Sequence, residues 1–458
     1  MEKNELKELL QIGVSHGADY VELFFEDTIT KIIRSLSGEI TEASTTNIHG
    51  VGIRLLQGVD EVYGYTNDDS YDSVKALVTD LSTSFTGTPG TVSEFLPERT
   101  YRNNVKKQAN TVNYKKRVTL LNELSLIIKS HDARIVQAVA HLLETSQKVL
   151  IVNNEGIYQH DVRNRTRVSL FGISKDEVTM QQVGDSTGKS CGFELLDKYD
   201  FKKKAVEVAE RAIKMLSAKD IVSQTMPVVI NNGFGGVIFH ESCGHPLEAS
   251  SISKGLSPFA NKIGEKIASE LVTAYDDGTQ FGEWGYLNVD DEGHPTQRNL
   301  LIKDGILVGY LVDKKNGRRM DAPATGSSRR ESYKYSPTSR MNVTYIDKGT
   351  DTLENIIKDT EYGLFAATLG GGQVDPATGE FNFAVSEGYM IEKGELTHAV
   401  RGAMLIGQGK DILLKIDRVG SELSYGQGVC GARSGSVPTD VGQPPIRVKE
   451  LTVGGGGK

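Results

Sequence analysis

The 458-residue sequence predicts an α+β protein: antiparallel sheet-and-helix units at the N-terminal side, then a β-rich, Gly-rich C-terminal domain. Three observations carry that expectation. Residues 1–90 and 98–218 each place strand-like segments between amphipathic helices. From Ile221 onward, long helical periodicity gives way to short strands and recurrent turns. Glycine is abundant, at 49 residues, as many turns and close backbone approaches require. The predicted units are therefore 1–90, 98–218 and 221–458, the last carrying the chemistry.

The elements follow in order. Leu6, Leu9, Leu10, Gly13 and Val14 share one stripe of a helix over 1–16, and Gly17 suits its C-terminal cap. Asp19–Glu26 and Thr28–Arg34 read as a hairpin. Glu39–Thr45, Val51–Leu56 and Glu61–Thr66 continue an antiparallel sheet, and Tyr71–Phe85 is a helix. Thr86–Pro97 is a linker or long loop. A helix over 111–131 opens the second unit. Ile135–Val152 supplies two strands, Asn153–Gly156 a turn and Val162–Ser174 a further strand. Tyr199–Leu216 is strongly amphipathic, with Phe201, Val206, Val208, Ala209, Ala212 and Met215 on one broad side. In the third unit Pro258–Leu271 reads as a helix and Thr352–Ile357 as a short one. Turns recur at Asp276-Asp277-Gly278, Asp304-Gly305, Asn316-Gly317, Gly370–Gly372 and Lys393-Gly394, and the terminal GGGGK reads as a frayed tail.

Bulk properties narrow the function. Hydrophobic residues make up 38% and charged residues 24%, an ordinary globular balance, and the net charge is −8. A nucleic-acid binder would show a basic face, so no nucleic-acid partner is expected. The locally basic run Lys106–Arg117 reads as a solvated helix start. No apolar run reaches the ~18 residues of a membrane span, and MEKNELKELL lacks the apolar core of a signal peptide. Three cysteines, Cys191, Cys243 and Cys430, fit a reducing cytoplasm without a disulfide framework.

The chemistry centres on PVVINNGFGGVIFHESCGHPLEA, residues 227–249. A buried strand, a turn and a short helix carry His240, Glu241 and His245. Two imidazoles with a carboxylate between them form a zinc-hydrolase arrangement, in which the carboxylate takes a proton from water the metal activates. The usual spacing is H-E-x-x-H. Here the histidines are five apart, and on a regular helix i and i+5 point about 140° apart. Either a π-bulge brings them together, or Pro246 turns His245 out of αR and ends the helix at Gly244. A catalytic zinc takes a third protein ligand. Cys243, Glu248, Cys430 and the acidic run Asp290-Asp291-Glu292 are the candidates. Cys430 lies in GQGVCGARSG, where glycines allow a loop to approach closely. The remaining histidines and Cys191 read as structural.

Several blocks together resemble the TldD/PmbA family: HESCGHPLEA, SPFANKIGEKIAS, GYLNVDDEGHPTQ, SSRRESYKYSPTSRMNVTY, GGGQVDPATGEFNFAVSEGY and GQGVCGARSGSVPTDVGQPPIRV. ADYVELFFE and HGVGIRLLQG extend the resemblance into the N-terminal half. That family pairs a motif-bearing TldD-type subunit with a relative lacking H-E-x-x-x-H, and this chain is similar to the former. The resemblance implies a cytoplasmic zinc metallopeptidase acting on small or unfolded peptides. It implies one Zn2+ per chain on His240, His245 and Cys430, Glu241 as the catalytic carboxylate, and a homodimer or a heterodimer with a motif-lacking subunit. The family's designation as gyrase modulators does not imply DNA binding.

Glycines beside an edge strand let an extended peptide pair through its main chain, so Gly371 and Gly372 are candidate substrate contacts. Arg329, Arg330, Tyr333 and Tyr335 are candidates to line the cleft or steady the oxyanion. Two other readings remain: a deformylase-type amide hydrolase with the same ligand types, and a scaffold subunit with a structural metal. Glu241 argues against the second, because a closed structural site has no use for it.

Overall fold

One six-stranded antiparallel sheet runs through the first two predicted units in the computed structural model, which describes residues 1–100, 102, 105–107, 113–374 and 379–455. Its strand order is Asp60–Thr66, Glu39–Gln57, Tyr20–Leu36, Ile135–Asn153, Tyr158–Lys175, Met180–Lys189. The two predicted N-terminal hairpin arms are one strand, Tyr20–Leu36. Asp27, expected in a turn, pairs with His49 on one side and Lys148 on the other. Glu39–Gln57 and Ile135–Asn153 are likewise continuous. Pairing along both edges outweighs the local turn signal.

Alternation along Tyr20–Leu36 explains what each face covers. Val21 and Leu23 pack under the helices Lys3–Val14 and Tyr71–Ser82. Tyr114–Ser130 and Phe201–Leu216 cover the other half with Leu121, Leu124, Val208 and Ala209. The opposite face turns Phe24, Val149 and Ile151 onto Val289 and Tyr333 of the C-terminal region. Polar neighbours on that face are paired: Arg54 with Glu292 at 2.5 Å, Arg163 with Asp291 at 2.6 Å, and Arg330 with Glu22.

The C-terminal region contributes two larger sheets. One has the order Ile306–Leu307, Arg298–Lys303, Ala274–Asp277, Val343–Ile346, Gly435–Gln443, Ser424–Ala432. The other runs Tyr362–Val374, Gln224–Ile230, Ile446–Gly454, Met404–Gln408, Glu380–Glu392, Glu395–Arg401, Lys219–Asp220. Glu380–Glu392 also pairs with Tyr362–Val374, which closes five of these strands into a ring around Val228, Phe381, Phe383, Leu405 and Val453. The predicted helix Pro258–Leu271 is instead a run of turns: Phe259, Ile267 and Ala268 are buried but reach the core without helical periodicity. Leu353–Lys358 is helical as expected. Part of the basic run Lys106–Arg117, the first two residues of the expected helix 111–131, and the end of the GGGGK tail lie outside the described residues. Among the described residues no helix is long and apolar enough to cross a membrane.

Candidate metal centre

Strand Gln224–Ile230 is held on both sides, by Tyr362–Val374 and Ile446–Gly454. It delivers the chain to a tight succession of turns: 3-10 over Gly233–Gly236, α over Val237–Phe239, π over His240–Gly244 and 3-10 over His245–Leu247. The π turn absorbs the extra residue in H-E-x-x-x-H, with the His245 N–H donating to the His240 carbonyl. The alternative device is not used. His245 keeps αR angles (φ −58, ψ −45) despite the following proline. The helix turns and their close packing prevail over the local pre-proline preference.

Packing fixes this segment in place. A Cβ on Gly236 would stand 2.6 Å from backbone atoms of Gly442, so the segment lies directly on strand Gly435–Gln443. A Cβ on Gly244 would meet Met341 at 2.1 Å. Phe239, Cys243 and Leu247 point into the main core. Cys243 is fully buried there, and desolvation drives its thiol pKa up. It is a core residue turned away from the cluster, as is Cys191, whose thiol burial pushes up to about 12.

Cys430 comes from strand Ser424–Ala432, 190 residues beyond His240. Its Sγ lies 3.3 Å from His240 Nε2 and 3.0 Å from His245 Nε2. The two imidazoles are edge-on, at 81° with centroids 5.0 Å apart. Burial opposes a thiolate, but the imidazoles hold the Cys430 pKa down to about 3. The donor atoms of His240, His245 and Cys430 all lie within 4.8 Å of one another. A tetrahedral zinc with ordinary Zn–N and Zn–S bonds sets such donors about 3.5 Å apart, so the triad fits a divalent metal.

Neighbouring groups orient the donors. His245 Nδ1 is 3.0 Å from Glu248 Oε1. That partner leaves Nε2 as the ring atom facing Cys430. Burial disfavours the imidazolium of His245, but Glu248 and the Cys430 hydrogen bond outweigh it and raise its pKa well above the ordinary value. Glu248 therefore sits behind a donor rather than among them. Arg340, wholly buried, donates to the Cys430 carbonyl, to Ser434 Oγ at 3.0 Å and to the Gly435 carbonyl at 2.8 Å. It anchors the hairpin that presents the thiol. Only its fixed neighbours mark it, which is why the sequence does not single it out. Glu241 projects beside the triad, with Oε2 3.8 Å from His245 Nε2 and about a quarter of its side chain exposed.

The other predicted residues fall elsewhere. Gly371 and Gly372 lie on Tyr362–Val374 beyond Ala366, the last residue of that strand paired with Gln224–Ile230. From there the strand has Glu380–Glu392 on one side only, among the described residues. Arg330 and Tyr333 are buried against the N-terminal sheet. The Arg330 guanidinium is engaged by Glu22 and the Asp291 carbonyl and stacks on Phe24 at 4.2 Å. Tyr333 contacts Tyr65 edge-on, and its N–H donates to Glu26 Oε2 at 2.7 Å. Both side chains join the two halves of the molecule rather than line an open cleft. Arg329 is likewise buried, while Tyr335 is half-buried and lines a cavity that Glu248 also borders. Asp290, Glu292 and His294 form a second cluster of donor types. There the Asp290 oxygens accept from the N–H groups of Glu292, His294 and Ser328, and Glu292 is held by Arg54 and the Lys314 N–H. Those contacts explain the cluster as interior structure.

Residues 223–455 match the PmbA/TldA metallopeptidase C-terminal domain, 107–216 its central domain and 21–83 its domain 1. A metalloprotease TldD homolog of Haemophilus influenzae is 35% identical, covering 98% of this chain and 96% of its own. Another, of Buchnera aphidicola from Acyrthosiphon pisum, is 33% identical over 95% of this chain and 93% of its own. Two solved structures share the fold: a putative modulator of DNA gyrase from Thermotoga maritima (TM-score 0.80, 19% identity, covering 98% of this chain and 99% of that one) and TldE from Thermococcus kodakarensis (TM-score 0.77, 18% identity, 98% and 100%).

Proposed function

Because the chain belongs to the PmbA/TldD metallopeptidase family, we propose that it hydrolyses peptide bonds in small or unfolded peptides, using one zinc ion held by His240, His245 and Cys430. The observation that carries this reading is the convergence of these three donors beside a carboxylate about a quarter exposed. A zinc ion there supplies Lewis-acid polarisation of the scissile carbonyl and acidifies water. Glu241 takes the water's proton and later returns it to the leaving amine. Glu248 keeps His245 in the tautomer that presents Nε2. An extended substrate pairs through its main chain with the open edge near Gly371 and Gly372, with little demand on side chains.

The matched stretches support the division 1–90, 98–218 and 221–458. Three unpaired cysteines suit a cytoplasmic setting. The assembly proposed is a dimer, either of two copies or with a related chain lacking the motif, and the fold shared with TldE supports the latter pairing.

The test is metal analysis together with mass-spectrometric digestion of unstructured peptides, with and without a chelator. Peptides cleaved only by the zinc-loaded protein are expected, and formyl-peptides serve as the control for amide hydrolysis of another type. Glu241→Ala should keep its metal and lose about 10²–10⁴-fold in turnover. Cys430→Ser should lower zinc stoichiometry. Full cleavage by the Glu241 variant would remove the proposed mechanism.

A further inference from the structure

A cavity of about 320 Å³ opens beside the triad and is lined by Glu248, the carboxylate bonded to His245. Ala432, Arg433 and Ser434 also line it. They follow Cys430 after one intervening glycine, Gly431, and two residues along a strand span about 7 Å. The cavity therefore begins within one or two residues' reach of the proposed reaction centre.

Its lining is rich in cations. Lys254, Lys315, Arg319, Lys334 and Arg433 converge on it from four separate stretches of chain. Its three carboxylates are already engaged. Glu61 is shared by Arg54 and Lys315, Glu248 is bonded to His245, and Asp313 accepts from Asn316 Nδ2 and the Ser339 N–H. Among the described residues, no carboxylate lies within ion-pair distance of Lys254, Arg319, Lys334 or Arg433. Five cations against three carboxylates leave this concave surface net positive, and the four cations outside ion pairs concentrate that potential in it. This is local to a chain whose net charge is −8, so general charge balance does not account for it.

We infer that this basic cavity is a substrate subsite for a carboxylate of the peptide, positioned one or two residues from the bond to be cut. The inference rests on the peptidase reading above. The carboxylate is either the C-terminus of a short peptide or an Asp or Glu side chain. In both cases the same cations receive it, and the substrate class is anionic at that position. The open edge near Gly371 aligns the main chain without selecting side chains, so this cavity is the element that discriminates.

The deciding experiment measures binding, so it does not depend on turnover. Fluorescently labelled peptide pairs are titrated against the Glu241→Gln protein, followed by anisotropy. One pair differs only in a free versus amidated C-terminus, the other in Asp versus Asn at a scanned position. At least one carboxylate peptide should bind about tenfold tighter than its neutral partner, with the difference shrinking as salt rises. The pair that shows it identifies the source. Lys334→Glu with Arg433→Glu should abolish or invert the preference, whereas Lys202→Glu, on a distant helix, should not. Equal binding within both pairs overturns the inference. So does a preference that survives the double reversal, or one that disappears when the metal is stripped, which would place the carboxylate on the ion. Discriminated binding by a wild-type protein that cleaves nothing would instead count against the hydrolase reading and leave the subsite standing.

Discussion

His245 is poised by what lies behind it as much as by what lies in front. Glu248 Oε1 fixes one ring nitrogen, and the other faces the Cys430 thiol. Glu248→Gln should therefore weaken zinc about 10–100-fold, the usual consequence of losing the partner of a metal-binding histidine. A competition titration against a chromophoric chelator reads this directly, and unchanged affinity would make the contact incidental. The two histidines and Glu241 are legible in the sequence because they sit within six residues. Cys430 is not, since its contacts span 185 and 190 residues. Before the family resemblance, Cys243, Glu248 and the run Asp290-Asp291-Glu292 stand as candidates beside it. In the structure Cys243 faces the core and Glu248 stands behind His245, whereas Cys430 lies against both imidazoles.

At the scale of elements, the strand–turn–helix unit works because it is pressed onto its neighbours. The five-residue spacing forecasts an irregular helix, and the π turn over His240–Gly244 supplies it. Pro246 looks like a terminator yet leaves His245 in αR. Local preference of this kind is small beside the packing of a buried segment. Gly236→Ala tests the point. The added methyl meets Gly442 backbone, which no side-chain motion relieves. It should cost about 1–3 kcal/mol in urea unfolding and lower zinc occupancy, because the segment shifts relative to strand Gly435–Gln443 and the adjoining Cys430 strand. Native stability and full occupancy would show the contact to be slack. The long strands are the counterpart. Tyr20–Leu36 reads as a hairpin because both its faces are covered and simple alternation is blurred, and because Asp27 and Thr28 resemble a turn. Thr28 is in fact buried, and its hydroxyl donates to Glu26.

Across the whole molecule, the N-terminal sheet is joined to the C-terminal region by buried ion pairs. Arg54 is fully buried and is shared by Glu61 and Glu292, so the sheet and the segment after Val289 are tied at one point. Removing one partner of such a group strands the others. Arg54→Ala should lose about 3–5 kcal/mol of stability, seen as a lower urea midpoint. A loss below about 1 kcal/mol would relegate the network to a minor role. The sequence by itself determined the α+β class, the change of character near Ile221, the covered faces of the helices and the histidine–glutamate motif. Each of these is written in neighbouring residues through period, spacing or composition. Only the tertiary structure decided that the first sheet is continuous, that Arg330 and Tyr333 are buried joints, that Arg340 holds the thiol hairpin and that cations gather beside the triad. Those facts depend on side chains distant along the chain meeting at a few ångströms, and no local pattern encodes such a meeting.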